Sequence, residues 1–277
     1  MCGNSSVLCE FLEALGLDEE PLGMLYTDDK PSSGICPEYQ KPITRSAEEQ
    51  GKVDWEKADE SFSCVISKVW LARRKSTAAY FDAEHIGCYG AAYYLGFTSP
   101  HLESSARVIA AEERYVESPE VADRLQRALN PPPATARFLV IKPISQFSSN
   151  VEPEIVVFFA RPETICGLLS LSTFVTNDMD AVKTPSFGPG CASIVMWPMK
   201  YLRQRQLKAV IGGLDPSCRK YIKTDEMSFA VPLELFRRML SRWEESFLKT
   251  KYWIPAMKKI AKSKRAWGED SPSKRSN

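Results

Sequence analysis

Two stretches of the sequence echo one another. A chain built from two related segments is constrained to fold as two units whose equivalent loops meet about an approximate twofold axis. In the first stretch Cys64 is followed six residues later by Trp70, then by an apolar run over 78–81 and by Cys88. In the second, Cys191 is followed six residues later by Trp197, then by the run 207–211 and by Cys218. Downstream, Glu113, Pro119 and Arg124 keep the six- and five-residue spacings of Glu226, Pro232 and Arg237. The first copy has 25 residues between Cys88 and Glu113 where the second has 8 between Cys218 and Glu226, a difference that surface loops absorb.

The sequence between these landmarks fills out an α+β plan with a mixed sheet or sheets, helices and two pseudo-symmetric halves. Apolar residues at 7, 8, 11, 12 and 15 predict a helix over 5–17 closed by Gly16, and Leu22-Gly23-Met24-Leu25-Tyr26 reads as a strand. Residues 27–59 are polar and read as a long loop. A helical period over 64–74 ends in Arg73-Arg74-Lys75, cations suited to the negative end of a helix. A strand over 78–82, a short helix ending at Leu95-Gly96 and a helix over 119–129 opened by Pro119 complete the first half. Asn130-Pro131-Pro132-Pro133 is the clearest break, dividing a first half over 1–130 from a second over 134–248. That second half opens with β-rich strands over 137–144 and 154–160, then a helix over 164–171. It continues with strands over 207–211 and 228–231 and a helix over 232–247. Residues 249–277 form a basic, solvated tail.

Charge narrows the partners. Thirty-six basic against 35 acidic residues leave a net charge of +1, which predicts neither nucleic-acid nor membrane binding. No apolar run approaches the roughly 20 residues of a spanning helix, and residues 1–6 are polar, so a cytoplasmic protein is expected. Its eight cysteines are then thiols, ligands or redox groups rather than structural disulfides.

Those cysteines carry the candidate chemistry. Cys-x-x-Cys is absent, so a sulfur-ligated centre requires one ligand per loop, and the duplication supplies four: Cys64, Cys88, Cys191 and Cys218. Such a set suits an iron–sulfur cluster or a zinc ion held between the halves, with a redox partner in the first case. Cys64 and Cys191 also read as core-facing residues at helix starts. Cys88 and Cys218 sit among turn-forming residues, Ile86-Gly87-Cys88-Tyr89-Gly90 and Asp215-Pro216-Ser217-Cys218-Arg219, and read equally as ligands, nucleophiles or core residues. His85, three residues before Cys88, offers a ligand or base, and Arg219 offers a cation for a carboxylate or phosphate. Three functions stay open: a cofactor-binding protein, a non-catalytic binder of a small anionic metabolite, and a cysteine-nucleophile enzyme. No Gly-x-Ser-x-Gly elbow, His-Glu-x-x-His helix or phosphate-binding glycine loop is present.

Glu20-Pro21-Leu22-Gly23-Met24, the block from Cys64 through Leu95-Gly96, and Asp215-Pro216-Ser217-Cys218-Arg219 followed by Asp225-Glu226 and Pro232 together resemble the domain-of-unknown-function 169 family. The resemblance covers roughly 8–248. It implies a shared fold and draws attention to Cys64, Cys88 and Cys218, and it brings no reaction with it. The glycine pair common in that family after the cysteine matching Cys88 is kept here only as Gly90, with Ala91 in the second place.

Overall fold

Strand β4 (Ile155–Ala160) sets the architecture, because all six of its residues are buried. Ile155, Val157 and Phe159 enter one core and Val156, Phe158 and Ala160 another, so the strand must lie inside a sheet covered on both faces. The computed structural model of the protein describes residues 6–17, 19–36, 64–86, 88–97 and 106–266. Among these, one seven-stranded sheet has the order β2-β3-β1-β4-β7-β6-β5. Its other members are β1 (Leu22–Thr27), β2 (Ala79–Phe81), β3 (Phe138–Pro143), β5 (Val182–Lys183), β6 (Ala209–Gly212) and β7 (Met227–Pro232). Pairing is antiparallel except for β5 with β6, so the sheet is mixed.

β1, β2 and β3 occupy the centre, the edge and the place between; β4, β6 and β7 do likewise on the other side, with β5 added beyond β6. The centre is the β1–β4 pair, where Met24 stands opposite Ile155 and Leu22 opposite Val157.

Helices cover the two faces. On the first, α2 (Val65–Lys75), α3 (Tyr89–Tyr94), a π-helical turn (Ala192–Met196) and α6 (Trp197–Arg203), which continues it, pack on the core containing Met24, Phe81, Ile141 and Val157. On the second, α1 (Ser6–Leu15), α5 (Pro162–Thr176) and α7 (Leu233–Arg242) pack around Phe11, Phe158, Leu168, Phe229 and Phe236. Helix α4 (Pro119–Leu129) has Ser118 as its N-cap, accepting from the Val121 N–H, and Pro119 in its first turn.

Three elements differ from their sequence expectation. Helix α5 runs on to Thr176 because the Ser172 and Thr176 hydroxyls donate back to the carbonyls of Leu168 and Ser172, which removes their competition with the helix. The helix after β7 stops at Arg242 and continues as 3-10 turns over Trp243–Glu245 and Phe247–Lys249. The segment expected as a tail carries helix α8 (Trp253–Ala266), anchored by Trp253, whose indole N–H donates to the Ala14 carbonyl at 2.9 Å. The remainder of that tail, 267–277, and most of the expected loop over 27–59 lie outside the described residues. Among the described residues no helix is long and apolar enough to cross a membrane.

Candidate functional site

The four paired cysteines come from four separate chain segments and reach one region of the first core. Cys191 and Cys218 are buried within it, and Cys64 and Cys88 pack against it. Cys64 lies within electrostatic reach of both Cys191 and Cys218, and Cys88 within reach of Cys191.

Each sulfur is placed by a local feature of its segment. Cys64 is the N-cap residue of α2 and Cys88 that of α3, both with extended backbone. Cys191 immediately precedes the π-helical turn that leads into α6. Cys218 lies in a 3-10 turn over Pro216–Tyr221, its thiol donating to the Asp215 carbonyl at 3.1 Å. Gly190, the residue before Cys191, lets Cys218 pack against its backbone: a Cβ there would stand 2.8 Å from Cys218 Sγ and 3.2 Å from Ile66 Cγ1, so only the missing side chain allows the approach. The Gly190 N–H also donates to Asp215 Oδ2 at 3.1 Å, tying the two cysteine segments together.

The electrostatics are one-sided. Burial pushes the Cys218 thiol up to about 12, with the Asp215 carboxylate adding to the effect and Arg219 opposing it. Burial likewise raises Cys191, to which the neighbouring thiols and Asp215 contribute, and raises Cys88, to which Glu113 contributes. Backbone N–H groups of Gly90 and Ala91 pull Cys88 the other way, as helix-start amides do. Glu113 is itself raised, by burial and then by Asp215 and Glu112. Tyr94 and Tyr115 complete the surroundings, Tyr94 beside Cys191 and Cys88 and Tyr115 beside Asp215, Glu113 and Cys218.

The other sequence candidates take different positions. Arg219 donates through Nη1 to the carbonyls of Gly213 and Glu226 and through Nη2 to those of Lys223 and Thr224, at 2.6–3.0 Å. It is therefore a staple closing the loop between β6 and β7. His85 hydrogen-bonds through Nδ1 to both oxygens of the buried Asp82, at 2.7 and 2.9 Å, and Asp82 Oδ1 also accepts the backbone N–H groups of Glu84 and His85. This orients the imidazole at the end of β2, and His85 is not among the groups acting on Cys88. Among the described residues no three or more His, Cys, Asp and Glu side chains are arranged to hold a metal ion.

Sequence reasoning passed over Glu113 and Asp215 as site residues, although both stood in quoted motifs. A further signal is visible only in the backbone. The π-helical turns over Val108–Glu112 and Ala192–Met196 abut Glu113 and Cys191, and such turns are rare and gather at functional sites.

A mixed sheet sandwiched by helices defines an α/β protein, and cysteines from four segments lie in or against its first core. The sequence profile of the DUF169 family, described as uncharacterised ArCR, matches residues 10–242, and the chain belongs to that family. No curated protein matches the chain, and no solved structure matches it.

Proposed function

We propose that the protein holds a metal or redox cofactor, an iron–sulfur cluster or a zinc ion, on Cys64, Cys88, Cys191 and Cys218, where two halves of one duplicated fold meet. The observation that carries this reading is the convergence of four thiols, with Glu113 and Asp215 beside them, in an apolar setting that raises the proton affinities of Cys88, Cys191, Cys218 and Glu113. Arg219, the cation acting on Cys218, is engaged by four carbonyls. A bound cation relieves this imbalance and ionises the thiols, because a metal inverts the local preference for the protonated form.

The donor chemistry fits. Thiolates suit zinc and iron–sulfur clusters, which bind them as sets of four. Loading entails drawing the four segments together, since no three ligand groups are yet arranged around a metal ion among the described residues. Raised thiol pKa values favour a ligand role over a free nucleophile, which needs a lowered one. Tandem ancestry is supported by the shared centre, edge and middle winding of the strands and by the helical segments that follow Cys64 and Cys191. β3 follows helix α4 whereas β7 precedes helix α7, so the Glu113 and Glu226 echo runs against the strand correspondence and lends tandem ancestry no support. Unpaired thiols suit a reducing cytoplasm, and an iron–sulfur cluster there requires an electron-transfer partner.

Protein purified without oxygen is expected to contain iron with acid-labile sulfide, or zinc, in stoichiometric amount. Replacing Cys191 and Cys218 with serine together should remove it. A colourless, metal-free preparation that is folded and takes up neither zinc nor a reconstituted cluster would refute the proposal.

A further inference from the structure

A cavity of about 430 Å³ lies at the opposite end of α2 from Cys64, within the range of small-ligand sites. Leu12, Leu17, Leu22 and Pro143 give it apolar walls, and Glu13, Glu19, Glu20 and Arg73 give it charge. Arg73 is the unusual member. Its side chain is 6% exposed, with Nε and Nη2 donating to Glu19 at 2.8 and 2.7 Å and Nη2 also donating to Glu226 at 3.0 Å. Among the described residues Nη1 has no acceptor. It is not one of the polar atoms sealed from solvent, and Arg73 lines the cavity. Two uncommitted N–H groups on a buried guanidinium that lines a cavity can donate to a carboxylate.

The same wall rejects a simple anion. Arg73 and Lys223 are matched by Glu19 and Glu226, which leaves Glu13 and Glu20 in excess. A ligand that satisfies both features carries a carboxylate and an ammonium group on a small apolar body.

We propose that this cavity binds an aliphatic α-amino acid, its carboxylate on Arg73 Nη1, its ammonium group toward the Glu13 and Glu20 side and its side chain against Leu12, Leu17, Leu22 and Pro143. The site is separate from Cys64, Cys88, Cys191 and Cys218 and requires no cofactor.

The test uses the full chain and three probes: L-leucine, isovalerate, which lacks the ammonium group, and isoamylamine, which lacks the carboxylate. Leucine at about 10 mM should raise the melting temperature by roughly 2 °C or more, as ligands selective for the native state do. Calorimetry should show it binding at least about tenfold more tightly than either half-ligand, the loss expected when one charged contact is removed. Glu13→Gln, an exposed change, should weaken leucine about threefold and leave isovalerate unweakened. Arg73→Lys, which removes Nη1, should abolish leucine binding; if that variant does not fold, Glu13→Gln and the half-ligands decide. No response to leucine, or equal binding of leucine and either half-ligand, would overturn the proposal.

Discussion

The two ends of helix α2 receive opposite treatments from the same fold. At its start, Cys64 joins Cys88, Cys191, Cys218 and Glu113, and the charged forms of those four neighbours are disfavoured by burial. At its end, Arg73 is as deeply buried as the sulfurs, yet it is fully charged, because Glu19 and Glu226 supply counter-charge and the Phe159 ring lies 4.2 Å from its guanidinium carbon. Glu19 is accordingly held below the ordinary carboxylate range by Arg73 and Lys223, against the effect of its own burial. Buried groups stand at both ends, and direct pairing with an opposite charge is what differs. Pairing holds the buried guanidinium in its ionised form, whereas the thiols lack such a partner and stay protonated.

The largest expected effect falls at the balanced end. Arg73→Ala leaves Glu19 and the buried Glu226 with the exposed Lys223 as their remaining counter-charge, and should cost about 3 kcal/mol of unfolding free energy in a urea titration. A loss no larger than that of a surface arginine would show that the two ends are not distinguished by pairing.

At the thiol end the matching perturbation is steric. Gly190→Ala forces a methyl against Cys218 and Ile66 and should cost about 1–3 kcal/mol, while loosening the metal uptake proposed for the site. A neutral result would mean that Cys218 is free to move away.

Alkali should separate the two ends further. Below the ordinary thiol value of 9.0 the sulfurs are protonated in both native and unfolded chains, and the stability they confer is complete. As pH rises from 9.0 toward the native value of about 12 for Cys218, the unfolded chain ionises first and stability falls; Cys88 and Cys191 shift in the same direction. Replacing Cys191 and Cys218 with alanine should flatten this decline, and an unchanged slope would assign it to other groups.

Smaller effects concern reactivity and the helix surface. In metal-free protein at neutral pH the exposed Cys166 should be alkylated ahead of Cys88, Cys191 and Cys218, as peptide mapping would reveal. Early labelling of Cys88 would favour the nucleophile reading instead. Arg74→Ala removes only an exposed guanidinium 4.5 Å from the Trp70 ring centre and should cost about 0.5–1 kcal/mol.

Much of this organisation was legible in the residues. The β-rich run over 154–160 read as a strand, and the cysteine landmarks selected side chains that the fold gathers into one region. The roles of Arg219 and Arg73 were not legible. One reads as an anion-binding turn and closes a loop on four carbonyls; the other reads as a helix-end cation and forms the charged wall of a cavity. Both distinctions depend on partners: Arg219 on carbonyls from both ends of its loop, Arg73 on Glu226, far along the chain.

By itself the sequence determined the periodicities, the breaks and the repeated thiol positions, because these follow from local backbone preference and from which side chains avoid water. Only the tertiary structure decided the single shared sheet, the meeting of Gly190 with Cys218 and the unequal pairing of buried charge. Each depends on distance and counter-charge between groups remote in the chain, which residue order does not encode locally.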